Sequence, residues 1–213
     1  GKAFGDELAR IGWRGEETVG ARKMHAFFEL HIEQGPILEA KNKQIGVVTH
    51  GQGLSWTEIT IVGKDAHTGS TPMAMRKNAG LAMSHILVKV DEIAMSHAPH
   101  AVGAAGHINV YPNSRNVIPG KVVFTVDLRS PELAVITAME ARLRLDAQSI
   151  CDAMGMAVSF EKVGGFDPVA FDKTCVEAVR SAAVRLGYSY MDLISGAGHD
   201  ACWINRVAPT AMI

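Results

Sequence analysis

Apolar positions along this chain follow two different periods. Lys121–Arg129 alternates strictly, with Val122, Phe124, Val126 and Leu128 on one face and Val123, Thr125, Asp127 and Arg129 on the other. That pattern predicts a half-buried strand. Asn78–Ala94 repeats at helical spacing through Ala79, Ala82, Met83, Ile86, Val90 and Ile93, which predicts a helix packed on one stripe. Leu54–Val62 is rich in β-branched residues and reads as a strand, as does Val102–Val110. Tyr111–Gly120 is dense in turn residues. Ser130-Pro131-Glu132 predicts the start of a long helix to about Ala153, with Ser130 as N-cap and Pro131 at the first helical position. Met156–Val163 predicts a last strand. The resulting order over residues 50–163 is β-α-β-β-α-β, the split ferredoxin-like unit.

The flanks read differently. Residues 1–15 suggest a short helix and a Gly-bounded turn. Residues 24–32 form a near-continuous apolar run, expected to be a buried strand. Gly35-Pro36 ends it and opens a helix through Ala40, and Ile45–Val48 is a short strand. Further on, Asp172–Leu186 is a helix closed by Gly187, Met191–Ile194 a strand, His199–Asn205 a short helix and Val207–Ile213 a strand. The simplest architecture is α/β. One α/β domain, in pieces at 1–49 and 164–213, carries the ferredoxin-like unit at 50–163 as an insertion.

Composition narrows the function classes. Of 213 residues, 47% are apolar and 20% charged, which excludes a disordered chain. The formal net charge of −1 gives no electrostatic footprint for nucleic acid or an anionic membrane. No apolar run approaches the ~20 residues of a membrane-spanning helix. Cys151, Cys175 and Cys202 are odd in number and widely spaced, so neither a disulfide framework nor a CxxC knuckle is expected, and a reducing cytoplasm is the default location. The sequence does not begin with Met and stops inside the apolar run Val207–Ile213, which reads as a piece of a longer chain.

Four segments carry candidate chemistry. His31 lies in Glu29–Pro36, where the predicted strand gives way to a helix. A neutral imidazole with nearby carboxylates there suits a metal ligand, or equally a satisfied histidine beside a capping glutamate. His67 lies in a loop of small residues, Lys64–Pro72, that lets a substrate or oxyanion come close; taken alone, it reads as an exposed histidine near a helix start. Asn116, in the turn, and Arg129, at the end of the alternating strand, could share a carboxylate if the hairpin aligns them; otherwise Arg129 pairs with Asp127 or Glu132. Ser195–Asp200 is a Gly-rich turn running into a helix start, with His199 held against it. Neither a nucleotide-binding glycine pattern nor a nucleophile elbow occurs. The other six histidines and the ten methionines read as packing or surface residues.

Taken in order, HIEQGP, DAHTGSTPM, NVIPG with DLRS, and SGAGHDA resemble the N-carbamoyl-amino-acid amidohydrolases, a group that includes β-ureidopropionases and allantoate amidohydrolases. These lie within the superfamily of dinuclear zinc aminoacylases and carboxypeptidases. The resemblance runs from about Gly5 to Ile213. It implies a catalytic α/β domain with an inserted ferredoxin-like dimerisation or lid domain, a homodimer, and a small-molecule N-carbamoyl-amino acid as substrate. It further implies two divalent metal ions, Zn or Mn, Ni or Co, in the whole enzyme. By position His31 matches a metal ligand and Gln34 a substrate contact. His67 matches a lid histidine that reaches the partner subunit's site. Asn116 and Arg129 match the residues that hold the substrate carboxylate, and Gly198 and His199 the loop that completes the pocket. The resemblance also implies that the other ligands and the catalytic glutamate precede Gly1 and that a last ligand follows Ile213, so at most a partial metal site is expected here. No His-x-Asp pair occurs, and Glu16-Glu17, the sole Glu-Glu, lacks a strand context. Allantoate is the nearest alternative substrate, a peptidase is weaker, and a non-catalytic dimerisation module is the alternative of another class.

Overall fold

The alternating segment lies inside a four-stranded sheet. In the computed structural model, which describes residues 1–213, the chain opens with α1 (Phe4–Arg10), β1 (Phe27–Glu29), α2 (Ile37–Ala40) and β2 (Ile45–Gly51). It continues through β3 (Gly53–Val62), β4 (Ala66–His67), α3 (Ala79–Met95), β5 (Val102–Tyr111), β6 (Val117–Ile118), β7 (Lys121–Ser130), α4 (Leu133–Ala153) and β8 (Ala157–Phe166). The last elements are β9 (Val169–Ala170), α5 (Lys173–Arg185), β10 (Tyr190–Ser195), α6 (Asp200–Ile204) and β11 (Thr210–Met212).

Strands β5-β7-β3-β8 pair in that order, antiparallel throughout. The register sets Phe124 between Ile59 and Ile108. Because side chains alternate across a strand, Ile59, Ile61, Val122, Phe124, Val126 and Leu128 all point to one face and are buried there. Helices α3 and α4 pack on one another and on this sheet. Their buried stripes are Ala79, Ala82, Ile86, Val90 and Ile93, and Ile136, Met139, Leu143, Ala147 and Cys151. All of these side chains except Ile136 belong to a cluster of 17 buried residues. The Asn78 side chain starts α3 by accepting the Leu81 N–H at 3.2 Å. The start predicted for α4 is corrected. Ser130 is the last residue of β7, held in the sheet opposite Gly53, so its hydroxyl meets the Glu132 N–H and the helix begins only at Leu133.

The second sheet is mixed. Its order is β1-β11-β2-β10, with β9 also along β2; the β1–β11 and β2–β10 pairs are parallel. A smaller cluster of 10 buried residues joins β2, β11, α5 and α6. Here the sequence pattern overreaches. The apolar run at 24–32 forms a strand only at Phe27–Glu29, the stretch that finds a partner in Thr210–Met212. Beyond it Leu30 and Ile32 are 80% and 77% exposed. Strand β11 is shortened in the same way, with Val207 exposed outside it.

Two crossovers join the sheets, residues 51–53 and 166–169. They touch: a Cβ on Gly53 would sit 2.5 Å from Pro168, so only glycine permits the approach. At the opposite end of the four-stranded sheet, β4 and β6 form a separate two-stranded pairing, Ala66 with Ile118 and His67 with Val117, that the sequence pattern does not reveal. No helix is long and apolar enough to cross a membrane.

Candidate active site

Three of the four motifs supply side chains near the junction of the sheets. His31 follows β1 and is exposed. Its Nδ1 lies 2.6 Å from the Ile32 carbonyl oxygen. Nδ1 is therefore the protonated nitrogen, and Nε2 keeps a free lone pair. The His31 and His199 rings meet edge to face, centroids 4.6 Å apart. His199, by contrast, is buried. Its Nε2 is 2.5 Å from Ser195 Oγ, while Nδ1 lies in the interior without a hydrogen-bond partner. Burial depresses the His199 pKa below the ordinary imidazole value; Glu29 pulls it upward by less, and His31 adds to the depression. The ring is accordingly neutral near pH 7.

Arg129 ties the two sheets together at this point. Its Nε and Nη2 donate to the Asp127 carboxylate, at 3.1 and 2.6 Å, and Nη1 donates to the Gly196 carbonyl at 2.6 Å. Of the alternative pairings open to Arg129, Asp127 or Glu132, the one with Asp127 is present, and the guanidinium still reaches the Gly-rich turn. One N–H on each of Nη1 and Nη2 is left over. Gly198 lies against the Phe166 ring; a Cβ there would come within 3.2 Å of it. Gln34 is exposed and adopts φ 56°, a left-handed conformation unusual for a residue with a side chain. Glu33 is occupied as a cap, accepting the Ile37 and Leu38 N–H groups at 2.7 and 2.8 Å.

His67 and Asn116 lie elsewhere. They neighbour each other through the β4–β6 pairing and the Thr68 N–H to Asn116 carbonyl bond of 3.0 Å. His67 Nδ1 accepts the Gly69 and Ser70 N–H groups at 3.0 and 3.2 Å. A neutral ring in that setting carries its proton on Nε2 and presents an N–H donor to solvent. Arg76 braces the loop by donating to the Thr68 and Thr71 carbonyls. The hairpin does not bring Asn116 to Arg129, as the sequence allowed. Arg129 lies at the far end of β7, opposite Val102 of β5 and eight residues beyond Lys121, or roughly 27 Å of strand. Within one chain the proposed residues thus form two clusters, His31–His199–Arg129 and His67–Asn116.

Two participants escape sequence reasoning. Glu29 reaches Ala201, whose N–H it accepts at 2.7 Å, and its Oε1 sits 3.6 Å from His199 Nδ1. Ser195 is the hydroxyl on His199. Glu29 shares a motif with His31, but a contact across 172 positions leaves no local pattern.

The sequence model of peptidase family M20/M25/M40 matches residues 5–213. The chain belongs to peptidase family M20/M25/M40. The resemblance seen in its four motifs is thereby confirmed at the family level. This M20-family chain is 65% identical over 213 residues to the N-carbamoyl-L-amino-acid amidohydrolase of Rhizobium meliloti, covering 51% of that protein. It is 33% identical over 215 residues to the allantoate amidohydrolase of Escherichia coli (strain K12), covering 52% of it. An amidase of the hydantoinase/carbamoylase family from Burkholderia multivorans superposes with a TM-score of 0.93 at 52% identity, over 97% of this chain and 50% of that one. The chain spans about half the length of the curated relatives it matches.

Members of this family generally use divalent metal ions. The donor set here fits such an ion only in part. No group of three His, Cys, Asp or Glu side chains is placed to hold one. His31 does have the arrangement of a single ligand, with Nδ1 anchored on a carbonyl and Nε2 free.

Proposed function

We propose that this chain is the lid-bearing part of an amidohydrolase that cleaves N-carbamoyl-amino acids to amino acid, ammonia and carbon dioxide. The observation that carries the reading is the convergence of Arg129, His199 and His31 through the Gly196 turn, which sets a carboxylate-binding group beside a metal-type histidine. The 65% identity to an N-carbamoyl-L-amino-acid amidohydrolase supports the substrate class.

In this reading residues 1–49 and 164–213 are parts of the catalytic domain, and 50–163 is the ferredoxin-like dimerisation and lid domain. The observed strand order β5-β7-β3-β8, with both helices on one face, supports that assignment. The free edges of β5 and β8 offer a backbone ladder for a two-fold partner. Two divalent ions, Zn or Mn, Ni or Co, would polarise the carbamoyl oxygen and lower the pKa of a water when bound. His31 Nε2 is the ligand this chain contributes. Arg129 receives the substrate carboxylate on its two remaining N–H groups, held in place by Asp127. Gln34, Gly198 and His199 line the pocket, the glycine letting the turn approach Phe166. His67 donates its Nε2–H to the oxygen that becomes negative in the tetrahedral intermediate. Because His67 and Asn116 sit at the far end of their own chain, they act in the partner subunit's site.

Hydrolysis balances as one water consumed per substrate, with the amine leaving as the free amino acid and the carbamoyl group as ammonia and carbon dioxide. A side-by-side assay of the full-length protein on N-carbamoyl-L-methionine, N-carbamoyl-β-alanine and allantoate tests the reading. Turnover of a carbamoyl substrate above allantoate is expected. Allantoate as the sole substrate would move the protein to the second reading, which the 33% identity to an allantoate amidohydrolase favours. No turnover of any of the three, alongside a stable dimer by light scattering, would leave a dimerisation module without catalysis. Residues 1–213 alone are expected to be inactive with any added metal.

A further inference from the structure

We propose that Glu29 is a positioning residue of the site, one that orients the His199 ring while it anchors the start of α6. The argument begins with an unpaired atom. His199 Nδ1 is buried and has no hydrogen-bond partner, a costly arrangement for a ring nitrogen unless its N–H donates to a nearby acceptor. The carboxylate oxygen placed to do so is Glu29 Oε1, 3.6 Å away, so a small rotation of ring or carboxylate closes the contact. The other oxygen, Oε2, already accepts the Ala201 N–H at 2.7 Å, which fixes the carboxylate at the beginning of α6.

This geometry selects one tautomer. With Nδ1–H directed at Glu29, Nε2 is the acceptor and the Ser195 hydroxyl donates to it across 2.5 Å. Ser195 leads directly into Gly196, whose carbonyl receives Arg129 Nη1 at 2.6 Å. Glu29 therefore reaches the pocket along a continuous series of contacts through His199, Ser195 and the Gly196 turn. Its own carboxylate need not touch substrate. The Asp127 grip on Arg129 is independent of this series, so ground-state binding of a substrate carboxylate should survive a change at Glu29.

Glu29→Gln separates the two duties. The amide oxygen can still accept from Ala201, preserving the start of α6, but the group then facing His199 Nδ1 is an N–H donor. The proposal rests on the amidohydrolase reading only for its kinetic readout. In the full-length wild type, selective ¹⁵N labelling of histidine at neutral pH should show His199 with Nδ1 protonated and Nε2 as acceptor. In Glu29→Gln that pattern should invert, with the melting temperature little changed. The kcat should fall about 10-fold or more, as for other residues that orient a site through a neighbour, while KM stays within about threefold. An unprotonated Nδ1 in the wild type, an unchanged pattern in the variant, or an unchanged kcat would each overturn the proposal. If the wild type turns over no ureido substrate, the amidohydrolase reading falls, and the ring-nitrogen pattern alone decides the part played by Glu29.

Discussion

The two sheets of this molecule differ in how their apolar surface is covered. The four-stranded sheet has ten-residue strands and helices of 17 and 21 residues, and its cluster of 17 buried residues is closed on the helix side. The mixed sheet has strands of two to seven residues and a cluster of 10, and it leaves Phe28, Leu30, Ile32 and Ile37 exposed. Candidate chemistry follows the same division. The thinner sheet carries His31 and His199, with an unpaired buried nitrogen and a left-handed Gln34. The thicker one carries Arg129 at one end, and His67 lies in the separate two-stranded pairing at its other end. The difference suggests a division of labour. One unit supplies a rigid beam that holds two groups far apart, and the other supplies irregular backbone where groups converge.

The largest expected effect tests the beam. Phe124 is fully buried at the centre of the larger cluster. Phe124→Ala should cost about 3–5 kcal/mol in urea unfolding. Val176→Ala in the smaller cluster should cost only about 1–2 kcal/mol. Equal losses would mean that the two cores are equally committed. Next in size, Arg129→Ala in the full-length protein should raise KM for an N-carbamoyl-amino acid by about 10- to 100-fold, the range for losing charged hydrogen bonds to a carboxylate. Unchanged kinetics would remove Arg129 from the site.

A smaller effect concerns the helix that backs the mixed sheet. The Asp172 carboxylate accepts the Cys175 N–H at 2.9 Å at the start of α5, and that backbone bond holds its pKa below the ordinary carboxylate range. Its contribution is therefore complete above the unfolded-state carboxylate pKa and is lost as the pH falls through the lower native value. Asp172→Ala should lower the melting temperature at neutral pH by a few degrees and flatten the acid limb of the stability profile. A variant that keeps the acid limb would show that other carboxylates set it.

Much of the beam was legible because it is periodic. The alternation of Val122 to Leu128 and the stripe from Ala79 to Ile93 depend on local geometry alone, and both match the buried faces observed. The pairing of Asp127 with Arg129 was legible for the same reason, being two residues apart on one face. The thinner sheet was harder to read. Whether 24–32 forms a strand depends on the partner it meets, and Thr210–Met212 supplies only three residues. Ser130 reads as a cap because the sequence does not show the ladder that holds it opposite Gly53. Contacts such as Glu29 with Ala201 leave no trace in either period. The separation of Asn116 from Arg129 follows from the length of one strand, yet the turn residues alone left it open.

That separation leads to subunit complementation. His67→Ala and Arg129→Ala full-length proteins are mixed under conditions that exchange subunits, and hydrolysis of an N-carbamoyl-amino acid is followed at a substrate concentration well below the raised KM of Arg129→Ala, where each variant alone turns over little. If each site takes His67 from one subunit and Arg129 from the other, every mixed dimer holds one intact site, and a random equimolar mixture recovers about a quarter of wild-type activity. Failure to recover activity in a mixture shown to contain mixed dimers would contradict a site shared between subunits.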